Sequence, residues 1–184
     1  MFKSKHIAIT LLLIFCFAAT GYANPLKCGE DFPILKLQGK LSSGQMNYLG
    51  LKGDAPWEIS DIKSNYILIM IFSMYCPHCQ KEAPYINDLR SRLIESGDEV
   101  KFIAVGAGNS DFEIDFFKKK YGIEIPLFSD SDLIAHEKTG STGTPHFYLI
   151  KKTEKCYETL FSHAGRMKDV DSFAKDLYSA ITQN

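Results

Sequence analysis

The stretch that decides the fold is Ser73-Met74-Tyr75-Cys76-Pro77-His78-Cys79-Gln80-Lys81-Glu82-Ala83-Pro84. The apolar run Ile67–Phe72 precedes it and an amphipathic pattern follows it, which predicts a buried strand, a tight turn and a helix. Pro77 suits the first helical position, because its missing N–H would be unpaired there. Cys76 then lies at or near the N-cap with Cys79 one turn further on, so the two sulfurs can approach disulfide distance.

This placement predicts that the two thiols differ in reactivity. A thiolate at a helix N-terminus faces unpaired N–H groups and the positive end of the helix dipole, and a protonated His78 would add a second positive charge. Both effects lower the pKa of Cys76, whereas Cys79, inside the helix, is more shielded. The sequence therefore predicts that Cys76 is the attacking thiol and Cys79 the resolving thiol of a redox pair.

Three other uses of a Cys-x-x-Cys motif fit the sequence less well. A zinc site needs a second closely spaced ligand pair, and the histidines downstream are isolated. A c-type haem site needs His after the second cysteine, where this chain has Gln80. A structural disulfide that spans two residues closes almost no loop and stabilises little. We therefore expect redox activity, with no metal and no cofactor.

The first 23 residues have the pattern of an export signal. Lys3 and Lys5 supply positive charge, Ile7–Ala19 is nearly all apolar, and Gly21-Tyr22-Ala23 offers a cleavage site. We expect cleavage after Ala23 and export to the bacterial periplasm, and the alternative is an uncleaved membrane anchor.

The remaining chain, 24–184, suits one core. Without Lys3 and Lys5, 19 of the 21 basic side chains remain against 22 acidic ones, a net charge of −3. That balance argues against nucleic acid as a partner.

Beyond the predicted signal, two further cysteines, Cys28 and Cys156, lie outside the motif. An oxidising compartment preserves disulfides, and a bridge from the N-terminal arm to the hairpin near Cys156 is one arrangement. Two free thiols, or bridges to partners, are the alternatives that the sequence leaves open.

The remaining elements follow from periodicity and turn signals. Residues 34–57 predict short antiparallel strands or a hairpin, and the helix from Pro77 is expected to run to about Ser96, with a kink at Pro84 and a stop at Gly97. The aromatic residues Phe112, Phe116 and Phe117 are expected to face the core. The sequence further predicts helices over 110–121, 133–138 and 169–181 and strands over 100–105, 127–128, 146–150 and 157–162.

This succession, with Cys-Pro-His-Cys at the first main helix and Thr144-Pro145 before the penultimate strand, resembles the thioredoxin superfamily. The Cys-x-x-Cys-x-x-Glu-x-Pro run is most similar to exported TlpA/ResA-type thiol–disulfide oxidoreductases. The resemblance implies an α/β thioredoxin-like fold over 57–184: a central mixed sheet flanked by helices, an inserted βα unit near 110–130 and, over 24–56, an N-terminal strand extension. It also implies protein thiol or disulfide clients and a redox partner that the sequence does not identify, with a membrane-bound partner as one option.

The resemblance also implies roles for individual residues. Pro145 would be a cis proline, so that Thr144 could hydrogen-bond an extended client beside Cys76. Tyr75 stands where a tryptophan is usual and belongs to the same client surface. Glu82 corresponds to a partly buried acid that serves the resolving cysteine, and the alternative is a first-turn carboxylate favoured by the helix dipole.

The dipeptide Pro77-His78 is that of DsbA-like oxidants, whereas the rest of the chain resembles reductants. Stabilising the Cys76 thiolate stabilises the reduced form, so we expect a more oxidising potential than that of thioredoxin. Two alternative functions remain. A peroxiredoxin-like peroxidase would use Ser73-x-x-Cys76, although Ile69 replaces the expected proline, and a copper-carrying module would use both thiolates as soft ligands.

Overall fold

The computed structural model describes residues 24–95 and 100–183, and the predicted export signal and the stop at Gly97 lie outside this part of the chain. A six-stranded mixed sheet has the order β1-β8-β7-β4-β5-β6, and β2 and β3 form a separate antiparallel pair. The strands are β1 Asp31–Phe32, β2 Lys36–Leu37, β3 Trp57–Glu58, β4 Tyr66–Phe72, β5 Val100–Ala107, β6 Leu127–Asp130, β7 His146–Lys152 and β8 Tyr157–Ala164. The helices are α1 Ser43–Leu49, α2 Pro77–Glu82, α3 Ile86–Glu95, α4 Asp111–Tyr121, α5 Ile134–Lys138 and α6 Val170–Thr182.

Strand β4 lies in the middle of the sheet, parallel to β5 and antiparallel to β7. Its side chains alternate between two buried clusters, as expected for a strand covered on both faces. Leu68, Met70 and Phe72 pack with the apolar faces of α3, α4 and α6. Ile67, Ile69 and Ile71 pack with α1, α5 and the N-terminal segment. The strand predicted from the apolar run is therefore the centre of the core.

The N-terminal segment differs from its prediction. Strands β2 and β3 do pair antiparallel, but no hairpin joins them, because helix α1 lies between. Ser42 and Gln45 form a capping box at its start, and Gly50 ends it in the left-handed conformation at φ 68°. The prediction of short antiparallel strands or a hairpin in 34–57 was therefore wrong for residues 43–49, which form a helix. Strand β1 extends the main sheet by pairing with β8.

The long helix predicted from Pro77 is interrupted, as expected, near Pro84. A 3₁₀ turn, Ala83–Tyr85, separates α2 from α3. The predicted inserted unit consists of α4 and the edge strand β6, which runs parallel to β5. Among the described residues, no helix combines the length and hydrophobicity needed to cross a membrane.

Candidate active site

The turn between β4 and α2 places both motif cysteines at the start of the helix. Strand pairing ends at Phe72, and the Cys76 N–H then donates to the Ser73 carbonyl at 3.0 Å. Cys76 is the N-cap residue with extended backbone angles, and Pro77 occupies the first helical turn. Cys79 follows within the same turn of the helix. This is the arrangement that the sequence predicted.

Cys76 is partly exposed, and its thiol donates to the Thr144 carbonyl at 3.1 Å. Partial burial acts to raise the pKa of Cys76, but hydrogen bonds to the sulfur from the Thr144 side chain, from Cys79 and from the His78 backbone N–H outweigh it and leave the pKa below its usual value. Cys76 is therefore the more acidic thiol of the pair and the one that solvent reaches.

Cys79 is fully buried against the core. Burial, together with the charge of the neighbouring Cys76 thiolate, raises the pKa of Cys79 to about 12. Cys79 thus stays protonated near neutral pH while Cys76 is a thiolate. The two thiols have the opposed acidities that an attacking and a resolving cysteine require.

His78 is exposed, and it acts on the Cys76 sulfur through its backbone N–H. The predicted contribution of a protonated imidazole stays a prediction. The Thr144–Pro145 peptide is cis, as predicted, and the strand that follows it, β7, pairs beside β4 at Ile71. The structure therefore places Thr144 against Cys76, whereas its role in client binding stays a prediction.

Glu82 is fully buried and is the last residue of α2, so the alternative of a first-turn carboxylate favoured by the helix dipole was wrong. Its Oε2 accepts a hydrogen bond from Arg166 Nε at 2.8 Å, and its Oε1 accepts one from the Met167 N–H at 3.0 Å. Burial raises the pKa of Glu82, although these two donors and the Arg166 charge oppose the rise. The predicted role of Glu82 as an acid that acts with Cys79 stays a prediction. The two hydrogen bonds that Glu82 accepts join α2 to the loop after β8 instead.

Arg166 was missed by the sequence analysis. It lies 84 residues beyond Glu82, after the last strand, and no local pattern marks it as the partner of a buried acid. Only the packing of α2 against the loop between β8 and α6 brings the two together.

An exposed aromatic surface adjoins Cys76. Tyr75 is 63 % exposed, and its hydroxyl donates to Glu113 on α4. Phe112 is 79 % exposed and Phe116 is 50 % exposed, so their predicted core location was wrong; only Phe117 of the three is buried. A shallow cleft of about 360 Å³ is lined by Met74, Tyr75, Ser110, Phe112, Glu113 and Phe116. An exposed apolar surface of this kind is typical of a site of contact with another molecule.

Cys28 and Cys156 are free thiols in the structure. The Cys156 Sγ lies 3.2 Å from an Asp31 carboxylate oxygen. The N–H of Gly29, next to Cys28, donates to Thr159, which lies three residues beyond Cys156 along the chain. The structure does not join the two cysteines, and their pairing stays a prediction.

The chain is similar to known proteins in family, in sequence and in structure. The family model described as AhpC/TSA matches residues 29–158. The chain is similar to the thiol-disulfide oxidoreductase ResA of Bacillus anthracis, with 29 % identity over 103 residues, 56 % of this chain and 58 % of the relative. The ResA of Bacillus subtilis is 28 % identical over 98 residues, 53 % of this chain and 54 % of the relative. The chain thus spans little more than half the length of these curated relatives.

Solved structures show the same fold at low identity. A thiol:disulfide interchange protein DsbE from Chlorobium tepidum superposes with a TM-score of 0.66 at 18 % identity and covers 85 % of this chain and 99 % of its own. StoA from Bacillus subtilis gives 0.57 at 16 % identity, over 78 % of this chain and 96 % of its own. Peroxidoxin BcpB from Mycobacterium tuberculosis gives 0.63 at 14 % identity, over 86 % and 97 %. The fold is thioredoxin-like, as the sequence predicted.

Proposed function

Because the chain belongs to the AhpC/TSA family and carries two cysteines of opposed acidity at one helix start, we propose that it is an extracytoplasmic thiol–disulfide oxidoreductase acting on protein cysteines. The observation that carries the proposal is the contrast within the pair. The pKa of the accessible Cys76 is lowered by hydrogen bonds, whereas burial raises the pKa of Cys79 to about 12.

In the reducing direction, the Cys76 thiolate attacks one sulfur of a client disulfide. The client S–S bond breaks, a mixed disulfide forms, and the leaving client sulfur takes a proton from water. Cys79 then attacks the Cys76 sulfur and gives up its proton to solvent, so the Cys76–Cys79 disulfide forms as the Cys76–client S–S bond breaks. The departing client sulfur takes a proton from solvent and leaves as the second client thiol. The protein loses two electrons and the client gains them. The oxidising direction is the reverse sequence.

Two features support a protein as the client. The exposed surface formed by Tyr75, Phe112 and Phe116 includes the residue that precedes Cys76 in the chain, and it can cover apolar residues that flank a client cysteine. Thr144, whose carbonyl contacts the Cys76 thiol, would bind the client backbone. A redox partner of unknown identity must restore the pair after each turnover. Export to the periplasm by a cleaved signal at 1–23 is part of the proposal, and the mass of the mature protein tests it.

The test of the exchange mechanism is the trapping of its intermediate. A Cys79→Ser variant, incubated with a disulfide-bonded protein, should accumulate a mixed disulfide through Cys76 that a reductant releases. The Cys76→Ser variant is the matched control and should trap nothing. The mechanism is wrong if the Cys79→Ser variant stays unmodified while it remains folded.

A peroxidase is the second candidate, because the AhpC/TSA match and the likeness in fold to a peroxidoxin favour it. Rapid consumption of hydrogen peroxide that depends on Cys76 alone would support it against disulfide exchange. A copper-carrying role stays untested. Tight, stoichiometric Cu(I) binding without reductase activity would favour that role.

A further inference from the structure

The backbone of Met74, two residues before the attacking cysteine, is held by side chains at both its N–H and its carbonyl. Its N–H donates to Asn109 Oδ1 at 2.9 Å, and its carbonyl accepts from Gln80 Nε2 at 2.8 Å. Asn109 follows β5, whereas Gln80 lies on α2. Both backbone polar groups of Met74 are therefore paired with side chains from outside its own turn.

The backbone at this point needs partners that secondary structure does not supply. Pairing of β4 with β5 ends at Phe72, and α2 begins only at Pro77. Backbone groups that leave a sheet toward the protein interior must find other hydrogen bonds or lose stability. Asn109 and Gln80 provide them, one at each end of the Met74 residue.

Asn109 is itself firmly placed. It is fully buried, its N–H donates to the Gly106 carbonyl at 3.0 Å, and its carbonyl accepts from the Asp130 N–H at 3.2 Å. A Cβ atom added at Gly106 would lie 3.1 Å from the Asn109 side chain, so the loop is packed closely around it.

The Asn109 side chain also destabilises the fold in one respect, because it buries a polar group that an apolar residue would not have. Its Nδ2 is buried and has no hydrogen-bond partner within residues 24–95 and 100–183. Burying a donor without a partner is unfavourable. Packing alone would therefore favour an apolar residue at this position. The side-chain atom that makes a hydrogen bond is Oδ1, which accepts from the Met74 N–H.

We propose that Asn109 and Gln80 are positioning residues that hold the backbone of Met74 and so fix the loop that delivers Cys76 to the start of α2. The proposal concerns the position of the Cys76 sulfur. It rests on the proposed function only for the reason that this position matters. The hydrogen bonds to that sulfur from Thr144, Cys79 and His78 depend on this position.

Releasing the loop should weaken those hydrogen bonds and move the pKa of Cys76 up toward its usual value. The test uses Asn109→Leu, which removes the acceptor at similar size, and Gln80→Leu, which removes the donor. The control is Asn87→Leu. Asn87 holds backbone in the same way, by donating to Gly122 at 2.8 Å and accepting from Glu124 at 2.9 Å, in the loop between α4 and β6.

The measurement is the rate of iodoacetamide alkylation of Cys76 against pH in the reduced full chain, read by mass spectrometry of the Cys76 peptide. Each loop variant should shift the midpoint upward by about half a pH unit, equivalent to about threefold slower alkylation below the midpoint. The control should keep the wild-type midpoint even if its melting temperature falls.

A wild-type midpoint in folded Asn109→Leu would overturn the proposal, and so would an equal shift in Asn87→Leu. If Asn109→Leu does not fold, Gln80→Leu decides, because Gln80 is partly exposed on a helix surface. The alkylation profile needs no client and no redox partner. A failure of disulfide exchange in the trapping experiment would therefore leave this result interpretable.

Discussion

Replacing Arg166 by Met should destabilise the protein through the buried carboxylate that it leaves behind. Arg166 Nε lies 2.8 Å from Glu82 Oε2, and Glu82 is fully buried. The Met167 N–H, which donates to Oε1 at 3.0 Å, would remain as a partner. The Arg166→Met variant keeps much of the apolar stem and removes the charge and its hydrogen bonds.

The expected loss follows from the burial of each partner. Breaking a buried ion pair by removing one member costs about 3–5 kcal/mol. The Arg166 side chain is 35 % exposed, so solvent screens part of the interaction, and the retained Met167 N–H offsets more. We therefore expect a loss of about 2–3 kcal/mol in the free energy of unfolding at pH 7.

The loss should depend on pH with a definite sign. Burial holds the pKa of Glu82 above its ordinary value in the folded protein. For an acid whose folded pKa is raised, stability is fully present below the ordinary pKa of about 4.3 and is lost as the pH rises through the folded pKa. Removing Arg166 raises the folded pKa further, so the penalty is greatest at pH 7 and should shrink to about 1 kcal/mol at pH 4.

Urea unfolding of wild type and Arg166→Met at both pH values measures this difference. The control is Arg92→Met, because Arg92 forms an exposed pair with Asp171 at 3.1 Å, and its loss should stay below about 1 kcal/mol. A second substitution, Glu82→Gln, should recover part of the stability of Arg166→Met. Equal losses for Arg166→Met at pH 7 and pH 4 would refute the reasoning.

Two further outcomes are expected. His146 is buried, and burial lowers its pKa to about 4, so the protein should lose stability as the pH falls from about 6.5 toward 4. In urea unfolding over this pH range, the wild type should lose about 2–3 kcal/mol more of its free energy of unfolding than His146→Gln does. Parallel stability curves for the two proteins would contradict the argument. Phe112→Ser should slow exchange with a disulfide-bonded protein by about fivefold, because the variant loses about 1 kcal/mol of apolar contact with the client. Exchange with oxidised glutathione should stay unchanged. Ile94→Ser, on α3 and also exposed, is its control, and equal effects of the two variants would exclude a client surface at Phe112.

The central part of the fold could be predicted because its signals are local. Each of these signals determines the backbone conformation of neighbouring residues: the apolar run of β4, Pro77 at the start of α2, and Pro84 at the interruption between α2 and α3. Helix α1 had an equally local signal, the Ser42-x-x-Gln45 capping box with Gly50 behind it. The weak apolar periodicity of the segment concealed this signal, and reading strands there was an error of interpretation.

The parts of the site that were missed depend on tertiary contacts. Arg166 meets Glu82 only because two distant loops pack together, and Asn109 meets Met74 only because β4 and β5 are neighbours. Phe112 and Phe116 were assigned to the core because aromatic residues are usually buried. Their exposure follows from how α4 rests on the sheet through Ile114 and Phe117.

The reduction potential of the Cys76–Cys79 pair, measured in glutathione redox buffers, tests the account most directly. The two cysteines lie within one turn at the start of α2 and should close into a disulfide in oxidising buffers. Because the lowered pKa of Cys76 stabilises the reduced form, the potential of this disulfide should lie above the value of about −270 mV known for thioredoxin. A potential at or below that value, or two thiols that do not close into a disulfide in any buffer, would contradict the account.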